Sequence, residues 1–312
     1  MKKTAHLRRL VPLLAAACLL SPLPIKAAEV SSWPAGQERR IGSDDSQIQR
    51  ELSKFAVLPN SRPERLDRYA AWAQLYPKRK AEAVVFQVNL DLDREFYETP
   101  EEAADPANLM VLVNKHNILP ADYVPELEAL GADYGSGALR PEAAQAFRAM
   151  AGAAREDGVT LYSVSAYRSY SQQANTYNRY LGQYSRKTVD TFSARPGHSE
   201  HQTGLAVDIN AASRKAHFEK TPAFAWLVEH CAEYGFILRY DQGKEAVTGY
   251  RFEPWHYRYV GVETAQSCMK QGLSYEEYLG LQPESGEEPG LTPAFMPESI
   301  PVSVMEGESI EV

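Results

Sequence analysis

The run Ser193–Asn210, SARPGHSEHQTGLAVDIN, constrains the fold more than any other stretch of the chain. Leu205, Val207 and Ile209 alternate with Ala206 and Asp208, the two-residue period of a half-buried strand. Asp208 therefore points away from the apolar side, next to a small Ala206 that leaves room for an approaching group. His201 lies upstream, and Gly204 lets the chain turn tightly between the two. The pattern is Ser-x-His-x-x-Gly-x-Ala-x-Asp, from Ser199 to Asp208. A second run, Arg251–Gly261 (RFEPWHYRYVG), supplies Glu253 and His256. Their odd separation forbids one face of a regular strand, but Pro254 imposes a bend. Glu253 then sits just before a strand and His256 at its first inward position. His201, Asp208 and His256 make a nitrogen and oxygen donor set with a fourth position left for water, as a catalytic Zn2+ requires, and Glu253 is the base for that water.

The neighbouring candidates are weaker. Glu200 is a rival base, yet adjacency to His201 in an extended segment turns its side chain elsewhere. His198 could bind metal or donate to an outer partner, and the second reading is preferred. His116, His217 and His230 lack acidic or glycine-rich company and read as surface or packing residues. Arg168 ends a strand in Ser165–Tyr170 (SAYRSY) and is followed by Gln172 and Gln173, which suits binding of a carboxylate or a developing oxyanion. Arg195 is a lesser candidate of the same kind.

Composition bears on compartment and partner. Lys2, Lys3, Arg8 and Arg9 precede an apolar run from Leu10 to about Leu23, with small residues at Ala27 and Ala28, so residues 1–28 read as an export signal. An alternative reading takes Ala15–Cys18 as a weak lipoprotein box, with Cys18 as a lipid tether to the membrane. The formal net charge is −8, and no basic stripe exists to hold a phosphate backbone, which argues against nucleic acid as a partner. Past the signal only Cys231 and Cys268 remain, a pair whose bonding spacing cannot decide. No Cys–Cys metal spacing occurs, so histidine and carboxylate must hold any zinc. Tyrosine is frequent, with 18 residues, which suits a cleft for a polar peptide.

Along the chain, residues 29–48 read as a linker. Residues 49–109 form a helix-and-strand segment, helical from Glu51 to Tyr76 with a proline break, then a strand at Val84–Leu92. Arg140–Asp157 is the clearest helix, opened by Pro141 and stopped by Gly158. A strand at Thr160–Ala166 precedes a helix through Tyr177–Leu181, capped by Ser169 or Ser171. After the His201–Asp208 unit come a helix from Thr221-Pro222 to Gly235 and strands near Phe236–Tyr240, Ala246–Phe252 and Trp255–Val260. A last helix runs from Val262 to Leu279. From Leu281 onward five prolines and seven acids occur with no base, and residues 281–312 read as a disordered acidic tail. This order gives an α+β class, a small antiparallel sheet flanked by helices over residues 110–280.

The blocks SAYRSYSQQ, SARPGHSEHQTGLAVDI, WLVEHCAEYGFILRY and TGYRFEPWHYRYVG resemble, in order, those of the VanY-type zinc D-alanyl-D-alanine carboxypeptidases. The resemblance implies the zinc DD-peptidase (hedgehog-like) fold. It also implies zinc held by His201, Asp208 and His256 with Glu253 as general base. Arg168 resembles the arginine that holds the substrate's C-terminal end or reacting carbonyl, with Gln173 and Ser199 nearby in the peptide groove. The implied substrate is a peptidoglycan stem peptide losing its terminal D-alanine. An L,D-carboxypeptidase on tetrapeptides is the enzymatic alternative, and a non-catalytic cell-wall binding module the other; an intact Glu253 argues against the last.

Overall fold

A computed structural model describes residues 45–211 and 216–282. The expected signal, Cys18, most of the linker and nearly all of the acidic tail lie outside those residues. The described residues begin with helices α1 (Asp45–Ala56), α2 (Leu66–Leu75) and α3 (Ala81–Asn89). The proline break between the first two falls where expected, and α1 starts inside the stretch read as linker.

Helix α3 replaces the strand expected at Val84–Leu92. Ala81, Val84, Val85 and Val88 follow the i, i+3, i+4, i+7 pattern and pack against Phe55 and Tyr69. Phe86 and Leu90 lie on another side, against Val247. Two buried faces of one helix thus produce an alternation that imitates a strand. Tertiary contact on both sides overrides the β-branched propensity.

Two short pairings follow: β1 (Glu101–Glu102) runs parallel to β2 (Asn117–Ile118), and β3 (Glu128–Ala129) antiparallel to β4 (Ala138–Leu139). Helix α4 (Pro141–Glu156) leads to β5 (Tyr162–Ser165). Helix α5 (Tyr170–Leu181) begins with a capping box in which the Ser169 hydroxyl accepts from the Gln172 N–H. A single turn, α6 (Arg186–Val189), precedes β6 (Ala206–Asn210), α7 (Pro222–His230) and β7 (Phe236–Leu238). The strand expected at Ala246–Phe252 is instead the turn of helix α8 (Glu245–Thr248), closed by Gly249 at φ 77°. The Lys115 ammonium donates to the Gly249 and Asp190 carbonyls at 2.5 and 2.7 Å, so that stretch is held as loop rather than strand.

After β8 (His256–Tyr259), the last expected helix is two, α9 (Val262–Gln271) and α10 (Tyr275–Gly280). Gly272 at φ 65° ends the first, and a Ser274–Glu277 capping box starts the second. Cys231 and Cys268 are both buried and unbridged.

The central sheet has the order β5-β6-β8-β7, every neighbouring pair antiparallel. Val207, Ile209, Phe236 and Tyr257 project from it into one core with Phe147 and Met150 of α4 and Leu227 of α7. That core fixes the register, because a one-residue slip would turn the apolar set outward. It thereby also fixes which side chains line the opposite face. Among the described residues no helix is long and apolar enough to cross a membrane.

Candidate metal centre and its cleft

Antiparallel register brings the first two groups together: Asp208 of β6 lies directly opposite His256 of β8, and Ser165 of β5 lies opposite Asp208 on its other side. His201 arrives from the 3-10 turn Glu200–Thr203, closed by Gly204 at φ 70°. The positive φ favours glycine at 204, and a Cβ there would also crowd the side chains of Arg140, Pro125 and Leu127 at 3.1–3.2 Å. Glu253 precedes β8, and its carbonyl accepts from the His256 N–H at 3.1 Å across the Pro254 bend.

His201 Nε2 is 3.4 Å from Asp208 Oδ2, and His256 Nδ1 is 3.1 Å from Asp208 Oδ1. One ligand atom from each of the three residues can be chosen so that all lie within 4.8 Å of one another. Ligand atoms about 2.0–2.1 Å from a tetrahedral ion are roughly 3.3 Å apart, so the set has the dimensions of a zinc site. The hydrogen-bonding partners fit as well. His201 Nδ1 lies 2.7 Å from the Ala166 carbonyl, which only accepts, so Nδ1 carries the proton and Nε2 is free to ligate. His256 Nε2 faces Glu200 Oε2 at 3.4 Å, which leaves Nδ1 as its ligating nitrogen. Glu253 Oε2 is 4.0 Å from that Nδ1.

The electrostatics describe a place that favours a cation. Burial pushes the Asp208 carboxyl up, but His201 and His256 outweigh it and hold the group well below the usual range. Burial pushes His256 down, but its bonds to Asp208 and Glu200 outweigh it and raise the ring to about 9. Burial raises Glu253 to about 7, only partly countered by His256. A carboxylate poised near neutrality suits proton transfer.

The cluster lines a cleft of about 810 Å³ whose walls include Tyr240, Tyr250, Trp255 and Phe192. Arg168 reaches it from the end of β5, with Nη2 at 3.8 Å from Asp208 Oδ2 and 3.0 Å from Ser165 Oγ. Its Nη1 donates to Gln173 Oε1 at 2.7 Å, while Gln173 Nε2 donates to the Ala194 carbonyl at 2.6 Å. Gln173 thus lines the cleft with both ends of its amide engaged, aiming Arg168. Ser199 is buried in the same wall.

The other candidates take different places. His198 donates from Nδ1 to the Asn114 carbonyl at 2.7 Å and packs edge-on against Tyr97, so it is neither a ligand nor the outer partner of one. Arg195 pairs with Asp190 at 2.8 Å. His116 is buried against Phe96, and His230 pairs with Glu233. His217 lines the cleft beside Glu219, at 3.3 Å. Glu200 was undervalued by sequence reasoning: its carboxylate does turn from His201, but it turns behind His256. The even separation of His256 and Arg258 on one strand, opposite Ala206 and Asp208, was the signal that a buried anion belonged there.

A family model described as VanY, D-alanyl-D-alanine carboxypeptidase, matches residues 136–262. The D-alanyl-D-alanine carboxypeptidase of Enterococcus faecalis is 38% identical over 182 residues, 55% of this chain and 66% of that protein. The bifunctional D-Ala-D-Ala dipeptidase and carboxypeptidase VanXYC of Enterococcus gallinarum is 32% identical over 180 residues, 55% of this chain and 93% of that one. Among solved structures, the LdcB LD-carboxypeptidase superposes with a TM-score of 0.54 at 37% identity, covering 57% of this chain and 89% of that one. With the sheet, the His–Asp–His cluster and these matches in hand, the chain belongs to the VanY family of D-alanyl-D-alanine carboxypeptidases.

Proposed function

We propose that this protein is a zinc-dependent carboxypeptidase that removes the terminal D-alanine from peptidoglycan stem peptides ending in D-Ala-D-Ala. The observation that carries the reading is the convergence of Glu253, near His256, and Arg168, near Asp208, on the His201–Asp208–His256 cluster in the lining of one cleft. The three clustered residues would hold the ion. When bound, zinc supplies a Lewis acid that polarises a carbonyl and lowers the pKa of water. Glu253 accepts the water's proton and returns it to the departing amine. Arg168, locked by Gln173 and Ser165, presents its guanidinium to the oxygen on which negative charge develops, or to the terminal carboxylate. Ser199 borders the groove for the peptide. Export, read from residues 1–28, would put the enzyme where its substrate is; in the alternative reading of the same segment Cys18 is lipidated and tethers it to the membrane.

Likeness to the LdcB LD-carboxypeptidase favours one second reading, release of D-alanine from an L,D-linked tetrapeptide by the same centre. Assaying D-alanine release from pentapeptide and tetrapeptide stems, with and without a chelator, separates these. Release from the pentapeptide that stops on chelation and returns with zinc supports the proposal. Release from the tetrapeptide alone transfers the reading to L,D activity, and no release by zinc-loaded protein overturns both.

A further inference from the structure

The centre does not end at its ligands. Behind His256, Glu200 Oε1 accepts from Arg239 Nε at 2.7 Å and from Arg258 Nη1 at 3.2 Å, while Oε2 faces His256 Nε2. Arg239 turns its other two nitrogens to Glu276 of α10, at 2.8 and 2.6 Å, as a bidentate fork. Asn114 Nδ2 donates to the same Glu276 at 3.3 Å. Arg258 Nη2 donates to the carbonyls of Leu109 and Val111 at 3.1 and 3.0 Å. The side chains of Arg239, Arg258 and Glu200 are 0% exposed, and that of Glu276 2%. Two carboxylates and two guanidinium groups cancel, so no member can change charge without leaving another uncompensated in the interior.

From this geometry we infer that Glu276 and Arg239 are positioning residues for the metal ligand His256, acting through Glu200, so that helix α10 is a working part of the centre. The proposal rests on the zinc reading above, but its test does not need turnover. Glu276 lies beyond residues 136–262, the stretch the family model matches, and Asn114, Leu109 and Val111 lie before it. The flanks of this chain therefore close the back of a site whose front lies within the family core. The physical link is short. Glu276 holds both Nη atoms of Arg239, which aims Nε at Glu200 Oε1; with that oxygen fixed, Oε2 can only face His256 Nε2. A proton held on Nε2 is what keeps Nδ1 available to a metal. Without Glu276, Arg239 keeps a single anion, and Glu200 is drawn away from His256.

The test is zinc affinity of the folded protein, measured by competition with a chromogenic chelator and paired with thermal unfolding of the metal-free protein. Glu276→Gln, which keeps the shape and removes the charge, should weaken zinc binding roughly tenfold. Leu279→Ala, which loosens the packing of α10 without touching the ion network, should lower the unfolding temperature and leave zinc affinity unchanged. In turnover, Glu276→Gln should lower kcat with KM little changed, because no substrate contact is lost. If Glu276→Gln fails to fold, Arg239→Lys keeps the charge but not the fork and must weaken zinc binding in its place. Wild-type zinc affinity in either folded variant, or equal weakening by Leu279→Ala, overturns the proposal.

Discussion

The β6–β8 pair carries two groups of buried charges side by side on one face, and they differ in whether the charges cancel. On the sealed side, Glu200 and Glu276 balance Arg239 and Arg258, and each carboxylate is held by named donors. On the cleft side, Asp208 and Glu253 meet two imidazoles, both of which must be neutral to ligate, with Arg168 at the margin of Asp208 and Arg251 also on the cleft wall. A balanced interior cluster needs nothing further and fixes geometry. An unbalanced one asks for a cation, and its groups are shifted accordingly. His256 belongs to both, with one nitrogen in each, which makes it the hinge of the comparison.

The contrast can be broken most sharply at Glu253. Glu253→Gln should lower kcat by roughly 10²- to 10⁴-fold while zinc still binds, since it removes a base and no ligand. Loss of zinc in that variant would instead put Glu253 among the ligands.

On the sealed side the expected loss is stability. Arg258→Met should cost about 3–5 kcal/mol in denaturant unfolding, because it leaves Glu200 and Glu276 with one guanidinium between them and frees two carbonyls. A cost under about 1 kcal/mol would mean that Arg239 alone compensates Glu200.

The cleft side should reveal itself through pH. Glu253, raised by burial from 4.5 to about 7, and His256, raised from 6.5 to about 9 despite burial, both bind protons more tightly folded than unfolded. Their stabilisation of the metal-free protein is complete below the unfolded values and is lost as pH rises through about 7 and about 9. Zinc takes the place of the His256 proton, so the gap in unfolding temperature between zinc-loaded and metal-free protein should widen from pH 6.5 to 9. A gap that stays flat across that range would count against an unbalanced cluster. The smallest effect is expected at Lys244, whose ammonium meets Glu277 at 2.7 Å on the partly exposed side of α10. Lys244→Ala should cost no more than about 1 kcal/mol and leave zinc affinity untouched. If it matched Glu276→Gln, the distinction between sealed and rim charges on α10 would fail.

The local chemistry of the centre was legible in the sequence. The alternation around Asp208, the turn glycine Gly204 and the Pro254 bend are short-range constraints, and each acts through backbone angles that neighbouring residues set. The same holds for α4, opened by Pro141, and for the Ser169 cap of α5. What failed were segments whose environment is built by distant chain. Val84–Leu92 alternates because two different partners bury two faces of a helix, and Ala246–Phe252 is pinned as a loop by Lys115. Gly272 and the Ser274–Glu277 cap, by contrast, were local signals passed over within what was read as one helix.

Sequence alone determined which side chains could ligate a cation, because donor type and strand period are properties of a few consecutive residues. Tertiary structure decided what stands behind them. The pairing of Glu200 with Arg239, and of Arg239 with Glu276, spans 39 and 37 residues. Burial of those charges becomes tolerable only when the whole sheet and α10 have closed around them.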